Sequence, residues 1–245
     1  MAKQSGLLFF EGNMGGINYY KTAKGYYARK KGGVSKARIM KDPNYEHTRR
    51  NMEEFKLAAG EGKRIRSLIL PLIQRSADST FSSRFFTLML KITKTDPVHP
   101  PGSRKPGNGD WSLLEGLELN KGRKFWKLWS PEILVEETGS ALRFSWSQTD
   151  FEKFEYPTNA THLRLFLNVI TVDVEGRGND SQIELSREFE MGATLQGGEL
   201  VVDKQDIPGT RRLYIFSIEY YQWMAGTYYP YCSTEYKGAK VVKVE

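Results

Sequence analysis

The second half of the chain alternates apolar and polar side chains in short runs, which is typical of β-strands. The clearest run puts Tyr214, Phe216, Ile218 and Tyr220 on one face, and the residues between them are also largely apolar or aromatic. Both faces of this strand are therefore expected to be covered, which predicts a central strand whose hairpin partner starts at Tyr228. Strands are predicted at 113–119, 133–137, 142–146, 163–174, 183–189, 199–202, 212–223, 228–236 and 239–244. Turns are predicted at 138–139, 176–180, 197–198, 208–209 and 225–226.

The first half combines short strands with helices. Residues 5–30 are predicted to form a small β-meander, with the apolar run 7–10 as its first strand and glycine turns at 12–16 and 22–25. Apolar residues at helical spacing then predict three helices, over 44–59, 65–73 and 81–92. Gly60-Glu61-Gly62 is expected to separate the first helix from the second. Pro71 is expected to kink the second helix or to end it early.

The two halves differ in composition on either side of residues 96–110. This segment holds four prolines, three glycines and few apolar side chains, which favours a linker. We therefore predict an α+β protein with a basic meander and helical region at 1–95, a linker at 96–110, and an antiparallel β-sandwich or barrel at 111–245.

The positive charge is concentrated at the start of the chain. The 245 residues hold 36 Lys or Arg and 29 Asp or Glu, a net charge of +7. Residues 1–66 hold 15 of the bases and 6 of the acids, a net of +9, so the other 179 residues carry −2. Such asymmetry indicates an anionic partner, or an acidic surface on another copy of the protein.

The residues that catalysis or metal binding would need are scattered. His47, His99, His162 and the single cysteine Cys232 lie at no metal-ligand spacing, and the sequence has no nucleophile elbow or P-loop. The glycine-rich stretch 12–16 is predicted to be a turn that needs positive φ or a close approach of the backbone. We therefore expect a protein that is not an enzyme and that binds no metal or cofactor.

The stretch in which tyrosines and basic residues interleave is the candidate functional region. Cations neutralise phosphates and aromatic rings stack on bases or on partner side chains, so three interpretations stay open: nucleic-acid binding, docking onto copies of itself or acidic partner subunits, and a solvated surface. The predicted assembly interface is Tyr19, Tyr20, Tyr26 and Tyr27. The predicted anion or nucleic-acid contacts are Lys21, Arg29, Lys30, Lys31, Lys36 and Arg38.

The tryptophans of the second half suggest a third function. Trp126, Trp129, Trp146 or Trp223 could act as a stacking platform in a β module that binds glycans or another ligand. The alternative is that each of them is buried in the core of the domain.

The N-terminal stretch also resembles a known group of sequences. The segments GGINYYK at 15–21, GYYARKKGG at 25–33, RIMKDP at 38–43 and TRRNMEEF at 48–55 carry the resemblance. They are similar to the opening of a family of uncharacterised proteins from Bacteroidetes-group bacteria and their phage-like gene clusters. The resemblance covers roughly residues 6–90. It implies a phage-related or particle-forming context and supplies no catalytic residues.

The leading hypothesis is a structural protein of a multi-subunit, phage-like particle that self-associates through residues 6–33; the alternative is a nucleic-acid-binding protein. The apolar run 7–10 is too short for a signal-peptide core, and no run has the length of a membrane span. Synthesis in the cytoplasm, followed by incorporation into a particle, is therefore the expectation for localisation.

Overall fold

The computed structural model describes residues 1–204 and 209–245, so the predicted turn at 208–209 lies partly outside the described residues. Helices and antiparallel sheets occur together, which confirms the predicted α+β class. The helices are α1 Lys36–Lys41, α2 Glu46–Leu68, α3 Leu70–Ser76, α4 Phe81–Lys94 and α5 Phe125–Leu128. The strands are β1 Ala2–Lys3, β2 Gly12–Met14, β3 Ile17–Thr22, β4 Gly25–Lys30, β5 Leu134–Thr138, β6 Ala141–Trp146, β7 Thr149–Asp150, β8 His162–Asp173, β9 Ser181–Glu190, β10 Thr194–Leu195, β11 Gly198–Asp203, β12 Thr210–Met224, β13 Thr227–Pro230 and β14 Gly238–Val244.

The described strands pair into four sheets. The N-terminal sheet has the order β1-β4-β3-β2, and a small pair joins β10 to β7. The largest sheet has five strands in the order β13-β12-β8-β9, with β14 also paired to β12. A three-stranded sheet has the order β11-β6-β5. Each of these pairings is antiparallel.

The long strand β12 is central, as its two apolar faces predict. It pairs with β8 along one edge and with β14 and β13 along the other. Tyr214, Phe216 and Ile218 face a core shared with the three-stranded sheet, whereas Leu213 and Ile215 face a second core shared with the helices. The five-stranded sheet is therefore the middle layer between helices on one side and a smaller sheet on the other.

Three predictions about local structure are wrong. The run 113–119 is not a strand: a 3-10 turn spans Trp111–Leu114, started by Asp110, whose side chain accepts the N–H of Ser112. The apolar run 7–10 also lies outside any strand. Gly60 and Gly62 do not break the helix, because α2 runs through both of them.

Gly62 lies on the face of α2 that packs against α4. It is buried, and a Cβ placed on it would lie 3.4 Å from the Cγ of Met89 in α4. This distance is ordinary van der Waals contact, so the position faces α4 at close range. The packing of α2 on α4 extends across Gly62, and the helix continues through it.

The chain forms two compact units, Met1–Arg49 and Arg50–Glu245. These bounds differ from those of the predicted domains, since residues 96–110 lie inside the second unit. The ring nitrogen of Trp111 donates to the carbonyl of Pro106 at 2.8 Å, and both side chains are buried. Among the described residues, no helix combines the length and the apolar character needed to cross a membrane.

Asp96 organises the start of this proline- and glycine-rich segment. Its carboxylate is buried and accepts the N–H groups of Val98 and Lys105, each at 2.8 Å. Burial alone would raise the pKa of Asp96, but these hydrogen bonds and the contact with His99 outweigh it and lower the pKa to about 2. The folded state therefore holds this carboxylate in its ionised form.

We expect Asp96→Asn to remove part of the acid sensitivity of folding. The pKa of Asp96 is below its ordinary value of 3.8, so its contribution to stability is present above pH 4 and lost as the pH falls to 2. The variant should lose about 2 kcal/mol at pH 7 and less on acidification, measured by urea unfolding between pH 2 and 7. Glu53→Gln is the control, because Glu53 is exposed and lies 3.8 Å from Lys56. Parallel pH profiles for wild type and Asp96→Asn would contradict this role.

Candidate assembly surface

Strands β1 to β4 form a small sheet that we call the tyrosine sheet. Its hairpins have two-residue turns, Gly15-Gly16 between β2 and β3 and Ala23-Lys24 between β3 and β4. Gly15 and Gly16 have φ of 57° and 78°, which confirms the predicted positive-φ turn and matches the twist of a hairpin. The hydroxyl of Thr22 accepts the N–H of Lys24 at 3.1 Å and fixes the second turn.

The tyrosine sheet has no buried side chain on either face. Every residue from 1 to 49 is exposed or half-buried. Leu7 and Leu8 are 102% and 77% exposed, and Phe9 and Phe10 about half exposed. A sheet of this size is stable only when one face packs against something else. The first unit therefore exposes the kind of surface that other proteins bury.

The register of the strands divides the predicted tyrosines between two faces. Tyr19 lies opposite Ala28 and next to Tyr26 on one face, while Tyr20 lies directly opposite Tyr27 on the other. The first face includes Met14, Ile17, Tyr19, Lys21, Tyr26 and Lys30, with Phe9 and Phe10 packed on it. The second face includes Lys3, Asn18, Tyr20, Tyr27 and Arg29, with Met1 beside them.

Aromatic contacts dominate the first face. The rings of Phe9 and Tyr26 are stacked with centroids 4.5 Å apart, and those of Phe10 and Tyr19 lie 5.9 Å apart. The Nζ of Lys21 lies 5.3 Å from the centroid of Tyr26, so its charge rests on an aromatic ring. This face therefore presents a continuous aromatic and apolar surface, with the cations Lys21 and Lys30 toward its edge.

The second face is more polar and more open. The rings of Tyr20 and Tyr27 are 6.1 Å apart, and the guanidinium of Arg29 lies 5.5 Å from the centroid of Tyr20. A shallow groove of about 490 Å³ lies here. It is lined by Met1, Tyr20, Thr22, Ala23, Lys24 and Tyr27. Such a groove has room for an inserted side chain.

The predicted anion contacts do not converge on one site. Lys21 and Arg29 lie on opposite faces of the sheet. Arg38 forms an ion pair with Asp42 at 3.2 Å within the first unit, and Lys36 begins α1. Lys30 ends β4 and Lys31 follows it; both are exposed. Charge is therefore spread over the unit.

The whole net charge of the protein belongs to the first unit. Residues 1–49 contain ten Lys or Arg and three Asp or Glu, a net of +7. The second unit contains the other 26 bases and 26 acids, so its formal charge is zero. The second unit therefore has no overall negative charge with which to attract the first unit of another copy.

Phe9 and Phe10 are the surface residues that the sequence pattern assigned wrongly. An apolar run of four predicts a strand, but β1 ends at Lys3 and the last backbone bond to β4 on this side is from the N–H of Gln4 to the carbonyl of Tyr26. The side chain of Gln4 replaces a strand partner: its Oε1 accepts the N–H of Phe10 at 2.9 Å, and its Nε2 donates to the Phe10 carbonyl at 3.1 Å.

The structure separates the four candidate tryptophans. Trp129 and Trp146 are buried in the core and their rings meet edge to face at 5.5 Å. Trp126 and Trp223 are 61% and 44% exposed. Only these two keep a ring surface that a ligand can reach.

Clustered acidic groups in the second unit serve the fold. Asp173 accepts backbone N–H groups from Glu175 and Asn179, and Asp180 pairs with Arg64 of α2. These bonds consume the carboxylate oxygens that a cation would require. Among the described residues, no three His, Cys, Asp or Glu side chains are grouped as metal ligands are. Cys232 is exposed.

Comparison with known proteins finds a likeness to part of the chain. No family model matches the chain, and no curated protein matches it. The solution structure of CsgH from R. palustris is similar to part of it, with 13% sequence identity and a TM-score of 0.21. The likeness covers 41% of this chain and 85% of CsgH. A score this low carries no argument about fold or function.

Proposed function

We propose that the chain is a non-enzymatic structural subunit that self-associates through the first face of the tyrosine sheet. The observation that carries this proposal is a formed sheet with an aromatic and apolar face that nothing buries. Folding orders the side chains of Phe9, Phe10, Tyr19 and Tyr26, and burial against a partner would supply the hydrophobic free energy that a lone sheet lacks.

A second copy is the partner that suits this face. Aromatic rings pack well against other aromatic rings, so the face is complementary to itself across a two-fold axis. Tyrosine and phenylalanine are enriched in the cores of protein interfaces, and the cations at the edge of the face resemble the polar rim of such interfaces. The second unit is electrically neutral, which argues against charge-driven docking of the first unit onto it.

The finer proposal is that the assembly is a phage-like particle. It rests on the resemblance of residues 6–90 to a family found in phage-like gene clusters. In such a particle the first unit would make the contact between subunits and the second unit would form the outer surface. Each of the two compact units, 1–49 and 50–245, would then have a separate task.

Nucleic-acid binding is the second candidate, favoured by the charge of +7 on residues 1–49. Lys21 and Arg29 each lie beside a tyrosine ring, an arrangement that places phosphate and base contacts close together. The cations lie on both faces and in α1, so the contacts would follow a flexible single strand more readily than a rigid duplex.

Salt is expected to separate the two candidates. Self-association brings like charges together, so salt should strengthen it by screening them, whereas counterion release makes salt weaken nucleic-acid binding. Light scattering of the full chain at 50 mM and 500 mM NaCl, with absorbance at 260 nm, measures both. A mass that rises with salt, without nucleic acid, supports assembly. A monomer in both conditions contradicts it, and nucleic acid that is lost at 500 mM NaCl supports the alternative.

A further inference from the structure

The five-stranded sheet has one face of which only part is covered by helices. Residues two apart along a strand share a face. On this face Ile170 and Ile215 are buried in the core that the helices share, whereas His162, Arg164 and Trp223 lie at the other end of the same strands. The end of the face that carries His162, Arg164 and Trp223 is therefore part of the sheet but not of the core between the sheet and the helices.

Three rings meet at this end of the sheet. Trp223 and Tyr228 are cross-strand partners in the β12–β13 hairpin, with ring centroids 4.5 Å apart and planes inclined by 54°. His162 meets Tyr228 edge to face at 5.0 Å. The indole of Trp223 keeps 44% of its surface exposed. The rings hold one another in place and leave an indole surface open to solvent.

A neutral ion pair lies beside the rings. Glu188 accepts hydrogen bonds from Arg164 and from the hydroxyl of Tyr228, the latter at 2.5 Å. These bonds, the first of them largest, lower the pKa of Glu188 and keep it ionised. The guanidinium of Arg164 also lies 5.0 Å from the ring centroid of Tyr221. We call Trp223, Tyr228, His162, Arg164 and Glu188 the hairpin platform.

The platform continues along the sheet toward a groove. Tyr221 donates a hydrogen bond to Glu219, and Glu219 pairs with Arg75 of α3 at 3.6 Å. Arg75 lines a polar groove of about 540 Å³ with Pro71, Gln74, Gln182, Glu184 and Lys237. Glu219 and Trp223 are four residues apart on one strand, a span of about 13 Å. The surface is therefore elongated and lined by groups that donate and accept hydrogen bonds.

We infer that the hairpin platform and this groove bind a neutral oligosaccharide. The C–H face of a sugar ring packs on an exposed indole, and its hydroxyls pair with carboxylate and guanidinium groups held in fixed positions. Arg164 pairs with Glu188, Arg75 pairs with Glu184 and Glu219, and Lys237 lines the groove. Three cations therefore balance three anions, and the surface offers an anionic ligand no net attraction. The elongated shape favours several sugar units over one. All these residues lie in the second unit, so the inference is independent of the tyrosine sheet.

Calorimetric titration of the full chain tests this inference. The probes are cellohexaose, maltohexaose and N-acetylchitohexaose, with a sulfated heparin hexasaccharide for comparison. We expect one neutral hexasaccharide or more to bind, and to bind tighter than the sulfated one. Trp223→Ala should weaken that binding at least tenfold, and Glu188→Gln, which keeps the rings, should weaken it as well. Tyr229→Ala is the matched control, because Tyr229 is exposed and the register places it on the opposite face of the β12–β13 hairpin from Trp223 and Tyr228.

Two results would overturn the inference. One is the absence of binding by all three neutral hexasaccharides at millimolar concentration. The other is unchanged affinity in both Trp223→Ala and Glu188→Gln, each shown by its thermal melt to be folded. Either result would leave the rings as a packing device that holds the β12–β13 hairpin together.

Discussion

Replacing Tyr19 and Tyr26 together with serine is expected to turn the assembled protein into monomers. Both rings lie on the first face of the tyrosine sheet, where they hold Phe10 and Phe9 in place. Buried aromatic side chains at the centre of an interface each contribute about 2 kcal/mol or more, so losing two should raise the dissociation constant by about 700-fold or more. Light scattering and sedimentation of the full chain measure this change.

The second face provides the internal comparison. Tyr20→Ser with Tyr27→Ser also removes one tyrosine ring from each of β3 and β4 but leaves the first face intact. We expect about tenfold weaker association or less, since this face is more polar. The quadruple variant should be monomeric. Tyr45→Ser is a control for the loss of a tyrosine, because Tyr45 lies in the same unit but outside the sheet.

Each outcome has a distinct meaning for the assembly. If the second-face variant dissociates and the first-face variant does not, the interface has been assigned to the wrong side of the sheet. If the quadruple variant assembles like the wild type, the tyrosine sheet is not the contact. The thermal melt of the second unit should be unchanged throughout, because its two cores contain no residue before Ala58.

Among glycine-to-alanine substitutions in the second unit, Gly109→Ala is expected to lower the stability most. A Cβ at this position would lie 2.0 Å from the carbonyl oxygen of Ile92, a backbone atom near the end of α4. Relief requires the segment to move away from the helix. That movement would strain the bond from Asp110 N–H to the hydroxyl of Thr95, which is 2.7 Å long, and the packing of Trp111. We expect a loss of about 3 kcal/mol in the free energy of unfolding.

Gly60→Ala is the matched control for this substitution. Gly60 lies inside α2, and a Cβ there meets nothing within 4 Å. Alanine is the better helix former, so this change should stabilise the protein by about 0.5–1 kcal/mol. Urea unfolding of both variants at pH 7 gives the comparison. Similar stabilities would show that residues 96–110 do not pack tightly on α4.

The sequence pattern predicted regular structure well where a single periodicity operates. β12 and β8 are buried on both faces over most of their length and α4 is buried on one helical face, and all three were expected close to their observed bounds. The errors arise where tertiary packing overrides local preference. Gly62 indicates a helix break by propensity, but its contact with Met89 favours a continuous α2. The prolines and glycines of 96–110 suggest a linker. In the structure, the hydrogen bonds of Asp96 and Trp111 hold this segment in a fixed conformation.

The candidate surface was only partly visible in the sequence. The interleaved tyrosines and cations are visible in the sequence. Their division between two faces is not, because it depends on the two-residue turns that set the register. Phe9 and Phe10 join the first face because Gln4 replaces a strand partner, a side-chain contact that no periodicity encodes. The same holds for the hairpin platform, whose members come from β8, β9, β12 and β13.

The two-sided tyrosine sheet also bears on how large an assembly can grow. A subunit with one self-complementary interface forms a dimer and stops there. A subunit with an interface on each face of the sheet can add copies in two directions and form an open-ended polymer. Each added copy brings seven positive charges, so the repulsion that opposes the next addition increases with length. Growth through both faces would thus be self-limiting at low ionic strength and would extend when counterions or a polyanion neutralise the stack.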